Sequence, residues 1–118
     1  MKQLEFTKVY AWAAAHLGGM CSPKTAVFSI IYSYHEAEKN CYISYKTFAK
    51  RIGVTERTIQ TAIKQLESEK VIYSGWSNYT NTKEYEVNDR IVSQWIYEFQ
   101  NEILKRDNAT YELEERAF

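Results

Sequence analysis

The sequence predicts a mainly α fold with one small β-hairpin (α+β), built on a single core. Three observations carry that expectation. Apolar residues recur at three- and four-residue steps in several separate stretches. Two of these stretches adjoin across Gly53-Val54-Thr55, a break only a few residues long. One pair of short alternating stretches flanks a polar, turn-rich loop late in the chain. At 118 residues the chain is long enough for one core and too short for a two-domain enzyme.

In chain order, residues 6–17 become helix-like toward their end, through Trp12 and three alanines, and Gly18-Gly19 stops them. Ser22-Pro23 is a capping residue followed by proline at the first helical position. Ala26, Val27, Ile30, Ile31 and Tyr34 then mark a helix from Pro23 to about His35. Cys41-Tyr42-Ile43 suits a short extended segment. Ser44 caps a helix whose apolar face is Tyr45, Phe48, Ala49 and Ile52, and Gly53 ends it. Val54 is an apolar turn residue, Thr55 the next cap, and Glu56 suits the positive end of the new helix. Ile59, Ala62, Ile63 and Leu66 give that helix a buried stripe, so residues 44–72 carry a helix-turn-helix pattern. Val71-Ile72-Tyr73 and Glu84-Tyr85-Glu86-Val87 read as strands around residues 75–82, the wing of a winged helix. Asp89 is expected to cap a last helix ending at Lys105 or Arg106, with Val92, Trp95, Ile96, Phe99, Ile103 and Leu104 on its apolar side. The expected organisation is thus 1–88 for the winged domain, 89–106 for an amphipathic helix and 107–118 for an acidic, flexible tail.

Composition narrows the function classes. Fifteen Lys+Arg balance fifteen Asp+Glu, which excludes a polybasic binder relying on bulk charge. One proline and four glycines exclude a low-complexity chain, and 15% aromatic residues let a small core bury much apolar area. No secretory leader or membrane-length apolar run is read, so a cytoplasmic protein with no membrane partner is expected. Cys21 and Cys41 stand twenty positions apart with no CxxC, and only His16 and His35 are available beside them. Reduced thiols, no metal and no cofactor are therefore expected. With no GxSxG, HExxH or phosphate-cradling glycine loop, the protein is expected not to be an enzyme.

The run YISYKTFAKRIGVTERTIQTAIKQLESEKVI resembles the winged helix-turn-helix of many bacterial regulators and replication proteins. The resemblance rests on Ala49, Gly53-Val54-Thr55, Arg57-Thr58-Ile59 and Leu66-Glu67, followed by Val71-Ile72. Upstream, Phe6, Lys8-Val9, Trp12, Leu17 and residues 26–32 are similar to the opening of replication-type winged helices from phages, plasmids and other mobile elements of Gram-positive bacteria. It covers residues 6–87, and departs from the family at Lys70, where glycine usually ends the helix.

The resemblance implies double-stranded DNA as partner, with the second helix in the major groove. Its exposed positions are then Glu56, Arg57, Gln60, Thr61, Lys64 and Gln65. Arg57 suits guanine, Gln60 an adenine edge, Thr61 a thymine methyl and Lys64 a phosphate. Thr58, from the motif's Arg-Thr-Ile start, joins this set. Ser44 and Thr55 offer donors at helix starts, and Lys46, Lys50 and Arg51 add backbone contacts. In the wing, Asn78, Tyr79, Asn81 and Lys83 are placed for a minor groove or sugar edge. For Arg57 and Lys64 a solvated helix face is the alternative reading, and Trp76 and Tyr79 are open to packing back on the core.

The last helix is read either as cover for the domain's own core or, through Val92, Trp95, Ile96, Phe99 and Ile103, as a homodimer contact. The charge is polarised: residues 1–88 hold eleven basic and eight acidic groups, residues 89–118 four and seven. Two functions follow. One is sequence-specific DNA binding, as a small transcriptional regulator or a replication or partition accessory of a phage or mobile element. The other is a protein-binding winged helix that inhibits or adapts host machinery, for example a defence inhibitor with a host protein partner.

Overall fold

The computed structural model describes residues 9–78 and 81–117, with side chains as far as Lys105. Five helices and one antiparallel hairpin follow in the order α1 (Ala11–Leu17), α2 (Pro23–Glu36), α3 (Tyr45–Ile52), α4 (Glu56–Ser68), β1 (Ile72–Ser77), β2 (Thr82–Val87) and α5 (Asp89–Ala117). This is a winged helix-turn-helix, mostly α with a small hairpin, as the sequence predicts.

The helix boundaries follow local chemistry. The Ser22 hydroxyl accepts from the Lys24 amide at 3.2 Å, ahead of a helix with proline at its start. Ser44 accepts from the Thr47 amide at 3.2 Å, and Thr55 from the Thr58 amide at 3.1 Å. Gly53, at φ 86°, ends α3 in the left-handed conformation, and its amide reaches Ala49 O at 2.8 Å. That sharp stop allows α4 to begin three residues later and cross α3.

The end of α4 shows what the departure at Lys70 does. Val71 N donates to Leu66 O at 2.9 Å and Lys70 N to Glu67 O at 3.0 Å, the paired bonds of a Schellman cap. Lys70 occupies the left-handed position, at φ 61°, where a Cβ is strained. Lys70→Gly is expected to raise stability by about 0.5–1 kcal/mol, the relief of that strain less glycine's greater unfolded entropy. Urea unfolding measures it, and an unchanged or lowered midpoint would show that the cap carries no strain.

The core lies between the helices and the inner face of the hairpin. Leu17 of α1, Phe28, Ile30 and Ile31 of α2, Phe48 of α3, and Ile59, Ile63 and Leu66 of α4 are fully buried with Val71 and Ile72. The strands pair from Ile72↔Val87 to Ser77↔Thr82. They are longer than the sequence suggests, because ladder bonds use only the backbone and Ser74-Gly75-Trp76 joins them despite its turn-like composition. The extended segment expected near Cys41 is a single bridge, with Tyr85 N donating to Cys41 O at 3.0 Å. Burial pushes the Cys41 thiol up to about 11, which suits a packed thiol.

α5 corrects two expectations. Its cap is Asn88 rather than Asp89: Asn88 Oδ1 accepts from Arg90 N at 3.2 Å, and Asn88 Nδ2 donates to Lys70 O at 2.7 Å. The same asparagine therefore starts α5 and secures the end of α4, while Asp89 pairs with His35 at 2.8 Å. The helix does not end near residue 106 but continues to Ala117, since neither glycine nor proline interrupts residues 90–117. Its apolar side is divided. Val92 is buried in the domain's own core, Trp95 and Ile96 pack partly against it, and the Trp95 ring stacks on His16 at 4.5 Å. For these three residues the packing accords with the first of the two readings of this helix, cover for the domain's own core. Phe99 is half-buried, and Ile103 and Leu104 are exposed.

Candidate nucleic-acid interface

With Ile59, Ala62, Ile63 and Leu66 buried, the 3.6-residue period leaves the other face of α4 in solvent. Arg57, Gln60, Thr61 and Lys64 are all exposed there, with Glu56 and Gln65 beside them. Arg57 and Lys64 stand seven positions apart on one stripe, which spans about 10 Å along the axis. A planar bidentate donor and a mobile ammonium thus bracket two neutral hydrogen-bonding side chains. That is a set able to read base edges while holding a phosphate.

The hydroxyls at the helix starts are already engaged. Ser44 Oγ donates to Thr47 Oγ1 at 3.0 Å while accepting the Thr47 amide. Thr55 Oγ1 and Thr58 Oγ1 share a hydrogen bond at 2.9 Å. Thr58 is only half-exposed, so its first role is to close the cap of α4. Lys46 and Lys50 are exposed on α3, and Arg51 is half-buried.

Two clefts flank this surface. The first, about 340 Å³, lies between the start of α2 and α4 and is lined by Ser22, Lys24, Arg57, Thr58, Thr61 and Gln65 among others. Lys24 was not anticipated; its Nζ lies 2.7 Å from Glu69 Oε2, and nothing local in the sequence joins residues 45 positions apart. The second, about 270 Å³, separates the wing from the start of α3 and includes Tyr42, Tyr45, Trp76, Asn81 and Lys83. Lys83 Nζ donates to Tyr45 OH at 3.3 Å and lies 5.7 Å from that ring's centroid, so it braces the wing against α3. Trp76 does not pack back on the core: it is 61% exposed. Asn78 and Asn81 are exposed at the hairpin end, Asn81 at φ 56°, and Tyr79 lies outside the described residues. The Tyr85 hydroxyl beneath the wing is held protonated, its pKa raised first by burial and then by neighbouring Tyr45.

Among the described residues, no group of three or more His, Cys, Asp or Glu side chains is placed to hold a metal ion. No helix among them is long and apolar enough to cross a membrane.

Helices α2 to α4, the bridge at Cys41 and the hairpin define a protein of the winged helix-turn-helix class. Residues 22–72 match the model of a family described as a helix-turn-helix domain, from the cap of α2 to the first residue of β1. The match supports a DNA-binding helix-turn-helix in that segment, which is under half of the chain. No curated protein and no solved structure matches the chain.

Proposed function

We propose that the protein binds double-stranded DNA in a sequence-dependent manner, with α4 in the major groove and the wing along the adjoining minor groove or sugar edge. The observation that carries this reading is the exposed stripe of Arg57, Gln60, Thr61 and Lys64 on a helix held rigid by a capped turn and a buried opposite face. Arg57 and Gln60 contact bases, and Lys64, Lys46 and Lys50 contact phosphates. The excess of basic groups before α5 supports the same surface, and the neutral total keeps non-specific binding weak. The role is that of a small regulator, or a replication or partition accessory, of a phage or other mobile element.

A homodimer through the far part of α5 belongs to this proposal. Phe99, Ile103 and Leu104 form an apolar patch beyond the segment that packs on α1, and Tyr97 is exposed nearby. Two copies joined there would present two α4 helices to successive half-sites. Selection of bound sequences from a random duplex pool, with a solution mass measurement, tests both points. A palindromic enriched site and a doubled mass are expected, with Ile103→Glu/Leu104→Glu reducing the mass to that of one chain. An unenriched pool would count against sequence-dependent binding, and a single-chain mass for the unaltered protein against the dimer. The same apolar patch favours a second reading, a winged helix that docks on a host protein; recovery of no DNA but one stoichiometric partner would support it.

A further inference from the structure

The cleft between α2 and α4 has a feature that the DNA-facing stripe does not require. Lys24 and Arg57 both line it, together with Ser22, Thr58, Thr61 and Gln65. The Lys24 ammonium and neutral hydrogen-bonding groups around an open space of about 340 Å³ suit a single phosphate, with Arg57 at its border left to its base contact. The Lys24 ammonium is not directed freely into that space, because Glu69, just past the last turn of α4, holds it at 2.7 Å. The Lys24 side chain is 20% exposed and that of Glu69 45%, so the carboxylate has the easier route into water.

We propose that this cleft seats one phosphodiester of the bound duplex, and that Glu69 is an internal competitor which Lys24 must leave to grip it. The proposal rests on the DNA-binding reading and adds a contact on α2, outside the helix-turn-helix pair. The cleft shares Arg57, Thr61 and Gln65 with the exposed side of α4, so a strand running beside the inserted helix passes its mouth. A phosphate there replaces Glu69 as the partner of Lys24, and the released carboxylate is hydrated. Exposed ion pairs are weak, so the exchange is reversible and tunes affinity without abolishing it.

A double-mutant cycle read by duplex titration at several salt concentrations tests this. The full chain is used with a labelled mixed-sequence duplex. Glu69→Gln is expected to tighten binding roughly three- to fivefold at low salt. Lys24→Met is expected to weaken it by a similar factor and to reduce the log–log salt slope by about one. In the Lys24→Met background, Glu69→Gln should then have almost no effect. Equal tightening by Glu69→Gln in both backgrounds would show only general removal of negative charge and overturn the clamp. An unchanged slope in Lys24→Met overturns it too. Unaltered protein that binds no duplex at any salt overturns the DNA reading itself, and is seen before any variant is compared.

Discussion

Phe28→Ala is expected to cost about 3–5 kcal/mol of folding stability. Phe28 is fully buried and joins three elements through its ring contacts. Trp12 of α1 meets it edge-on at 5.8 Å, Tyr32 stacks at 5.8 Å, and Trp95 of α5 lies at 6.0 Å. Removing the ring deletes the apolar transfer energy, the aromatic pairing and the packing of whatever space the neighbours fail to fill. Trp12 and Trp95 are large and only partly buried, so some collapse into the gap is expected and the lower half of the range is favoured. A domain of this size has about 5–15 kcal/mol in total, so even 3 kcal/mol is a large share. Urea unfolding with a shared slope for both proteins gives the difference. A loss below about 1 kcal/mol would mean that α1, α2 and α5 do not meet at this ring.

The second large effect falls on the proposed interface and leaves the fold intact. Arg57→Ala is expected to lower affinity for a preferred duplex by about 1–3 kcal/mol and to relax discrimination at one base pair. Lys64→Ala is expected to weaken binding similarly for all sequences and to reduce the salt slope by about one. Both residues are exposed, so unfolding midpoints should move little. The contrast between base-dependent and base-independent loss is the informative result. If both variants weakened all duplexes alike, Arg57 would be a phosphate contact and base reading would belong to Gln60 and Thr61. If neither changed affinity, α4 would not be the contacting helix.

Much of the fold was legible where chemistry is local. Ser22-Pro23, Ser44, Gly53 and Thr55 each set a helix end through bonds to residues within four positions, and the structure follows them. The stripe on α4 was legible for the same reason, since burying Ile59, Ala62, Ile63 and Leu66 determines what remains outside. The misjudged features depend on partners distant in the chain. An apolar side on α5 says that something covers it, and only the fold shows that Val92, Trp95 and Ile96 pack on the domain's own core. Asn88 and Asp89 are both competent caps; the carbonyl of Lys70 and the side chain of His35 decide between them. Gly75 and Trp76 fall in the stretch that composition marks as a loop, because composition ignores backbone pairing. The sequence around Lys24 gives no sign of its role, because its partner and its cleft are formed by α4. At the site, periodicity can show that Arg57 and Lys64 face outward, whereas only geometry shows the Thr58 hydroxyl bonded to that of Thr55 and Lys83 engaged with Tyr45.

On the proposed reading, the exposed face of α4 grips duplex DNA. A fluorescence-anisotropy titration of a labelled duplex, from roughly 50 mM salt upward, tests it most directly when the Arg57→Ala/Lys64→Ala protein is run beside the unaltered one. The expected result is binding that weakens linearly on a log–log salt plot, with a shallower slope and a lower affinity in the double variant. Absence of binding at the lowest salt, or identical curves for the two folded proteins, would contradict it.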